Sequence, residues 1–295
     1  MSQRVVLTIS IVLTAFLPTL SCASDRPEIV WAIIPYAPIH IIDGEYKGQG
    51  IADEYVQSVQ QALPGYHHIN QVMTPARAWQ LIANSTDLVC HPTALKTEAR
   101  AQVGYFSRAA IVTPVIRVLM RKVDWKQHLN KRNNLKFEEY IAANPGDFGI
   151  VRLRSYGQLI DQAIEKGLVA QDRLIYTSGR YGSRQLFEML LNKRIDMMLE
   201  YPWVSAYFAS VDKEGLSKSA TEELVSLTIS DFPSHTPAYV ACSKTEQGRL
   251  FLEQLNHFIN KKIPEPDNRQ RMKRWLDPTS AKQFEKAYQR YFQVH

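Results

Sequence analysis

Apolar residues along the chain follow two alternating spacings, one typical of short buried strands and the other of amphipathic helices. Glu28 to Ile34 predicts a strand, Ile51 to Leu63 has apolar residues at helical intervals, and His68 to Met73 predicts a second strand. Thr74 is an N-cap candidate followed by Pro75 at the first helical position, so a second helix is expected there. This order of strands and helices indicates an α/β sheet with parallel members.

The same pattern resumes in the second half of the chain. Phe148 to Leu153 predicts a strand, Ser155 caps the following helix, and Ile195 to Leu199 predicts another strand. Between the halves, the β-branched run from Ile111 to Met120 suits an extended connection that leaves the first sheet. We therefore expect two α/β lobes.

Polar side chains cluster in sequence at the predicted strand ends. In open α/β sheets, ligands bind outside the carboxyl ends of the strands. The candidates at such ends are Tyr36, Arg77, His91 and the loop from Thr93 to Arg100 in the first half, and Arg152, Arg154, Ser155, Glu200 and Tyr201 in the second. Since Arg152 and Arg154 alternate along a predicted strand, only one of the two should face a ligand. These positions predict a binding site.

Residues 1–23 have the features of a secretory signal peptide. Arg4 gives a positive start, an apolar run extends from Val5 to Leu17, and small residues precede a cleavage site after Ala23. The run is too short to span a membrane comfortably. We expect cleavage and export to the periplasm. Cys22 leaves lipidation open as an alternative, although Thr19 replaces the leucine usual in a lipoprotein box.

Two cysteines, Cys90 and Cys242, remain after the signal peptide. Each lies in a predicted strand, and thiols in an oxidising compartment tend to pair. Either they face each other on neighbouring strands and form a disulfide, or they are two small buried apolar side chains. Two cysteines without a nearby His/Asp cluster do not indicate a metal site.

Composition and charge narrow the function further. The 295 residues are 45% hydrophobic and 22% charged, with a formal net charge of +6 that drops by one when Arg4 is removed. The basic patches at Lys131-Arg132 and at Arg269 to Arg274 lack the aromatic spacing of a nucleic-acid surface, so no nucleic-acid partner is expected. We find no nucleophile elbow, metal motif or phosphate loop. The sequence therefore predicts no enzyme, metal or cofactor.

Four short motifs, in order, resemble the bacterial extracellular solute-binding proteins of the polar-amino-acid type (family 3). They are the Tyr36-Ala37-Pro38 loop, Gly50 before a helix, Thr97-Glu98-Ala99-Arg100 followed by Phe106-Ser107, and Ile195-Asp196 leading to Glu200-Tyr201. The resemblance implies the two-lobed type 2 periplasmic binding fold, in which a central cleft traps a small solute. It also implies a monomer that delivers to an inner-membrane permease of an ABC-type transporter or to a sensor.

The resemblance also implies domain limits and roles. Residues 24–120 and 230–295 would form the first lobe and residues 121–229 the second, with crossings near Met120 and Ile229. Arg100 matches an arginine that grips the ligand carboxylate, Tyr36 an aromatic that packs on the ligand, and Glu200 and Tyr201 positions that receive its ammonium. The predicted ligand-binding residues are Tyr36, Arg77, His91, Thr93, Arg100, Arg152, Ser155, Glu200 and Tyr201.

Several departures from the family point to a divergent subgroup. Thr93 and Leu95 replace the usual glycine and threonine, and Tyr201 replaces an aspartate. Because Arg77, Arg100 and Arg152 would surround the cleft with positive charge, we expect an anionic or zwitterionic solute. The alternative is an exported enzyme on the same scaffold, such as a dehydratase of a carboxylated substrate, with Glu200 and His91 as acid and base.

Overall fold

Two α/β lobes, each built on its own β-sheet, make up the described part of the chain. The computed structural model describes residues 26–129, 132–143, 146–179, 181–211, 223–231, 235–262, 265–276 and 278–293. The predicted signal peptide and Cys22 lie outside these ranges. The predicted α/β fold with two lobes is confirmed.

The first lobe is a five-stranded sheet in the order β2-β1-β3-β11-β4. Its strands are β1 (Glu28–Ile33), β2 (His67–Val72), β3 (Leu88–Ala94), β4 (Gly104–Pro114) and β11 (His235–Ser243). Strands β1, β2 and β3 are parallel, whereas β11 runs antiparallel to β3 and β4. The helices that pack on this lobe are α1 (Ile51–Ala62), α2 (Pro75–Asn84), α3 (Glu98–Val103), α9 (Glu246–Lys262), α10 (Pro266–Lys273) and α11 (Pro278–Gln293).

The second lobe is a six-stranded sheet in the order β6-β10-β5-β9-β7-β8. Its strands are β5 (Arg117–Arg121), β6 (Asn134–Leu135), β7 (Phe148–Val151), β8 (Leu174–Thr177), β9 (Met197–Glu200) and β10 (Leu224–Ile229). Strand β5 is antiparallel to its neighbours β9 and β10, while β7 is parallel to β8 and β9. The helices are α4 (Lys122–His128), α5 (Phe137–Ala143), α6 (Gln158–Glu165), α7 (Gly182–Leu191) and α8 (Pro202–Val211), with a 3₁₀ turn at Gln171–Arg173.

The first crossing between the lobes lies earlier than the sequence predicted. Strand β4 of the first sheet ends at Pro114 and β5 of the second sheet begins at Arg117, so the crossing falls between them rather than near Met120. The last part of β4, from Ala110, and β5 from Val118 are buried, which makes the apolar run nearly continuous through the crossing and hides the boundary. The chain returns to the first sheet between Ile229 and His235.

Each lobe has its own hydrophobic core. Along β1, Ile29, Trp31 and Ile33 point into the main core of the first lobe, whereas Ala32 joins a smaller cluster under α2 on the opposite face. This alternation buries both faces of β1, as expected for a parallel strand covered by helices. A separate cluster fills the second lobe.

Helix α8 belongs to the second lobe but packs on both cores. Trp203 is fully buried in the first core and donates from its indole nitrogen to the Met272 carbonyl at 3.0 Å, while Val204 and Phe208 join the second core. Tyr207 contacts Trp275 edge to face. Helix α8 therefore ties the second lobe to the C-terminal helices.

Cys90 and Cys242 form a disulfide, which is the first of the two alternatives that the sequence left open. The two residues are direct partners on β3 and β11, both side chains are fully buried, and the bond links positions 152 residues apart. It therefore fastens the central strand of the first sheet to the strand that returns from the second lobe. Among the described helices, none is both long and apolar enough to cross a membrane.

Candidate functional site

A cleft of about 1050 Å³ lies between the two lobes and is lined by residues of both. Its first-lobe wall includes residues that follow the carboxyl ends of β1 and β2 and the last part of β3, where an α/β sheet is expected to bind its ligand. The volume lies at the upper end of the range usual for small-molecule sites. The predicted residues that line it are Tyr36, His91, Thr93, Arg100, Ser155 and Tyr201.

Arg100 reaches the cleft from the first turn of α3. The hydroxyl of Thr97 caps this helix by accepting a hydrogen bond from the Arg100 backbone N–H at 3.3 Å. The guanidinium lies 4.6 Å from the centre of the Trp79 ring and donates to the Leu95 carbonyl at 3.1 Å. No carboxylate among the described residues forms a salt bridge with it, and burial lowers its pKa. Arg100 therefore offers unused N–H donors to an anion.

His91, on β3, lies near Arg100 and is almost fully buried. Its Nδ1 accepts a long hydrogen bond of 3.5 Å from the Thr93 backbone N–H, so the proton of the neutral ring sits on Nε2. Burial, followed by the charges of Arg100 and His40, lowers the pKa of His91 to about 3. At neutral pH this imidazole is an uncharged donor rather than an acid. Thr93 contributes a half-buried hydroxyl to the same wall.

Arg154 and Glu200 form an ion pair in the second-lobe wall. Arg154 Nη2 lies 2.8 Å from Glu200 Oε1, and Nη1 lies 3.1 Å from Oε2. Glu200 is fully buried and also accepts the Tyr201 backbone N–H at 2.8 Å. Glu200 does not line the cleft, although the sequence predicted that it contacts a ligand. Glu200 is the last residue of β9, and its carboxylate is directed towards Arg154 instead of the cleft.

Three tyrosines surround this ion pair. The ring centres of Tyr36, Tyr156 and Tyr201 lie 4.4, 4.7 and 5.5 Å from the Arg154 guanidinium carbon. The Tyr36 hydroxyl donates to Glu200 and accepts from Arg154, which joins the first lobe to the second. Burial raises the pKa of Tyr36 well above its usual value and that of Tyr201 to about 12. Burial would lower the pKa of Arg154, but Glu200 raises it well above its usual value.

Ser155 lines the cleft, but its hydroxyl has a structural role as well. It donates to Asp161 and accepts the Gly157 backbone N–H at 3.3 Å. Asp161 also accepts the Tyr156 backbone N–H at 2.8 Å, and burial raises its pKa. Helix α6 begins at Gln158 rather than directly after Ser155, because Gly157 adopts a φ of 104°.

Arg77 and Arg152 lie away from the cleft, contrary to prediction. Arg77 is exposed and donates to Gln80 at 3.0 Å within α2. Arg152 is exposed in the turn after β7, with its guanidinium 4.4 Å from the Tyr176 ring centre. Strand β7 ends at Val151, before the two arginines, so strand alternation does not govern them. Arg154, which the sequence weighed only as a candidate, is the one at the cleft.

Most cleft residues were not among the predicted ligand contacts, and three of them have informative interactions. They are Trp79, which supports Arg100 from α2, Tyr181, whose hydroxyl donates to Asp43 of the other lobe at 2.7 Å, and His40. His40 Nδ1 lies 2.7 Å from Asp53, and its buried Nε2 has no hydrogen-bond partner in the part of the chain that the structure describes. Their contacts span different elements, so local spacing carries no signal for them. The described residues contain no cluster of histidine, cysteine and acidic side chains that could hold a metal ion.

Comparisons with known proteins show similarity in fold. A histidine kinase sensor domain with similarity to periplasmic binding proteins gives a TM-score of 0.63 at 13% identity, covering 86% of this chain and 98% of that one. An amino acid ABC transporter substrate-binding protein from Streptococcus pneumoniae, bound to L-arginine, gives a TM-score of 0.59 at 14% identity. The match covers 88% of this chain and 97% of that one. An ancestral amino-acid-binding protein, a precursor of cyclohexadienyl dehydratase, gives a TM-score of 0.58 at 17% identity. The match covers 85% of this chain and 95% of that one.

These likenesses cover nearly the full length of each solved structure. The chain matches no protein-family model, and no curated protein sequence matches it. At such low identity the comparisons show the two-lobed periplasmic binding fold alone.

Proposed function

We propose that this protein is an exported solute-binding protein that holds a small anionic or zwitterionic solute between its two lobes. The observation that carries this proposal is Arg100, whose guanidinium faces the cleft and, among the described residues, donates only to the Leu95 carbonyl. A planar guanidinium with free N–H groups binds carboxylates through two parallel hydrogen bonds. The Trp79 ring packs against the Arg100 guanidinium and fixes its orientation.

The proposed site is smaller than the set of residues predicted from sequence. Arg100, His91, Thr93 and Tyr201 contact the solute directly, and Tyr36 closes the cleft over it. Glu200 orients Arg154 and Tyr36, while Arg77 and Arg152 have no role in binding. The partner is an inner-membrane permease or a sensor protein, the location is the periplasm, and the protein acts as a monomer.

The test is a screen of small carboxylates by thermal shift, followed by calorimetric titration of each stabilising compound. A ligand of this cleft should bind the Arg100→Ala variant at least tenfold more weakly than it binds the intact protein. The reason is that a hydrogen bond to a charged group contributes about 1.5–3 kcal/mol. Undiminished binding to Arg100→Ala would assign the anchor elsewhere. Arg77→Ala is the matched control.

A second candidate is an exported enzyme, and one observation favours it. His40 pairs with Asp53 at 2.7 Å and has an unpartnered Nε2 beside the cleft, an arrangement that can accept a proton. Asp53 also accepts hydrogen bonds from the Ile41 and Gly50 backbone N–H groups. Its role can therefore be purely structural, holding the loop that contains His40. Mass spectrometry of each stabilising compound after incubation separates the two, since an enzyme converts the compound and a binding protein returns it unchanged.

A further inference from the structure

The second-lobe end of the cleft has the chemistry of a cation-binding site. A fully buried carboxylate, that of Glu200, faces a position that is surrounded by the rings of Tyr36, Tyr156 and Tyr201. Aromatic faces and a desolvated carboxylate both attract positive charge, and a buried carboxylate is costly without a partner. Such a pocket requires a cation.

The chain supplies that cation itself. Arg154 Nη1 donates to Glu200 and to the Ser183 hydroxyl at 3.2 Å, while Nη2 donates to Glu200 and to Tyr36. Its side chain is 12% exposed and that of Glu200 is 0% exposed. Both oxygens of Glu200 are engaged, so an incoming ammonium group finds no free acceptor there.

The other acidic side chains at the cleft also have partners. Asp43 accepts the Tyr181 hydroxyl at 2.7 Å, Glu188 pairs with Arg184 at 3.1 Å, and Glu45 has an interaction partner as well. Asp161, behind Ser155, accepts two hydrogen bonds from its own loop. Among the described cleft residues, Arg100 thus presents free donors, and each acidic side chain already has a partner within the protein.

We propose that Arg154 acts as an intramolecular ligand that fills the cation subsite, so that the cleft selects small carboxylates without an ammonium group. This inference rests on the proposed function and narrows it from anionic or zwitterionic solutes to anionic ones. The carboxylate binds Arg100, and the aromatic rings of the cleft pack on the remainder of the solute.

The first experiment compares matched pairs that differ in the ammonium group alone. L-phenylalanine is titrated against 3-phenylpropionate, and L-glutamate against glutarate, into the intact protein. The acid without the ammonium group should bind at least tenfold more tightly than its amino acid in every pair that binds. An amino acid that binds as tightly as its partner overturns the inference but leaves the proposed function in place.

The second experiment does not depend on the identity of the solute. Arg154→Ala should empty the cation subsite, so methylguanidinium should raise the Tm of this variant by several degrees more than it raises that of the wild type. Arg152→Ala, which removes an exposed arginine two residues away, should respond like the wild type. An equal response in all three proteins overturns the inference.

The two experiments also separate the possible failures. If Arg154→Ala folds only with methylguanidinium present, that recovery supports the cation subsite, and a failure to recover counts against it. If no carboxylate or amino acid binds the intact protein, the proposed function fails. A positive methylguanidinium response would then still establish Arg154 as the occupant of the subsite.

Discussion

Tyr36 of the first lobe donates its hydroxyl hydrogen to Glu200 of the second lobe, across the cleft. The same hydroxyl accepts from Arg154, whose guanidinium lies over the Tyr36 ring. These contacts connect residues 164 positions apart and join the two lobes directly. Lobe closure and the burial of charge are therefore coupled at this point.

Tyr36→Phe should loosen the closed arrangement of the lobes. The substitution keeps the ring that packs on Arg154 but removes the hydroxyl that bridges to Glu200. We expect a larger radius of gyration by small-angle scattering in the absence of solute, and compaction when a binding carboxylate is added. Tyr105→Phe, on an exposed face of the first lobe, is the control and should leave the scattering curve unchanged. Identical curves for Tyr36→Phe and the wild type would show that this bridge does not hold the lobes.

Glu200→Gln should lower the free energy of unfolding by about 3 kcal/mol. The amide keeps the shape of the carboxylate but leaves the charge of Arg154 buried and unbalanced. Glu188→Gln is the matched control, because its ion pair with Arg184 is partly exposed and its loss should cost less than about 1 kcal/mol. Urea unfolding of both variants provides the measurement. Equal costs would contradict a special role for the buried pair.

Local sequence signals predicted the framework of the first-lobe wall. The sequence placed Arg100 in the polar loop after a strand and Cys90 and Cys242 on two strands, although it left open whether the cysteines pair. In the structure Thr97 caps the short helix of Arg100, and the two cysteines are direct partners on neighbouring strands. Both depend on contacts within one element or between neighbouring strands. Such contacts leave a periodic or spaced pattern in the chain.

The second-lobe wall could not be predicted in the same way. Leu153 adopts a φ of 61°, which turns the chain after β7 and brings Arg154 rather than Arg152 to the cleft. Nothing in the spacing of the two arginines signals this turn, because leucine rarely adopts such a conformation. The partner that neutralises Arg154 lies 46 residues away, so the burial of Glu200 depends on the assembled sheet.

Removing the disulfide should destabilise the protein substantially. Cys90→Ala combined with Cys242→Ala should lower the free energy of unfolding by about 2–5 kcal/mol, since the bond closes a loop that spans 152 residues. Denaturant unfolding under oxidising conditions gives the difference. The same variant, unlike the wild type, should be insensitive to added dithiothreitol once unfolded. A difference below about 1 kcal/mol would show that strand pairing alone fixes β3 to β11.

Arg100→Lys should weaken solute binding almost as much as Arg100→Ala does. A lysine keeps the positive charge but cannot stack flat on Trp79 or donate two parallel hydrogen bonds to a carboxylate. We expect a loss of at least tenfold in affinity by calorimetry for any carboxylate found in the screen. Arg108→Lys, an exposed substitution outside the cleft lining, should bind with wild-type affinity. Full retention of affinity by Arg100→Lys would show that charge alone anchors the solute.

His91 should make the protein less stable as the pH falls below neutrality. An exposed histidine in the unfolded chain takes up a proton near pH 6.5, whereas burial lowers the pKa of folded His91 to about 3. Between these values the unfolded state binds more protons, so the free energy of unfolding decreases with falling pH, by about 2 kcal/mol at pH 5. Above pH 7 this contribution is constant.

His91→Gln isolates this effect, because glutamine does not titrate. Unfolding in urea at pH 7.5, 6 and 5 should show a smaller decrease for His91→Gln than for the wild type. His67→Gln is the control, since His67 is 65% exposed and should keep the wild-type dependence on pH. Parallel curves for the wild type and His91→Gln would mean that His91 becomes protonated in the folded protein, which would place a second positive charge beside Arg100 in the cleft.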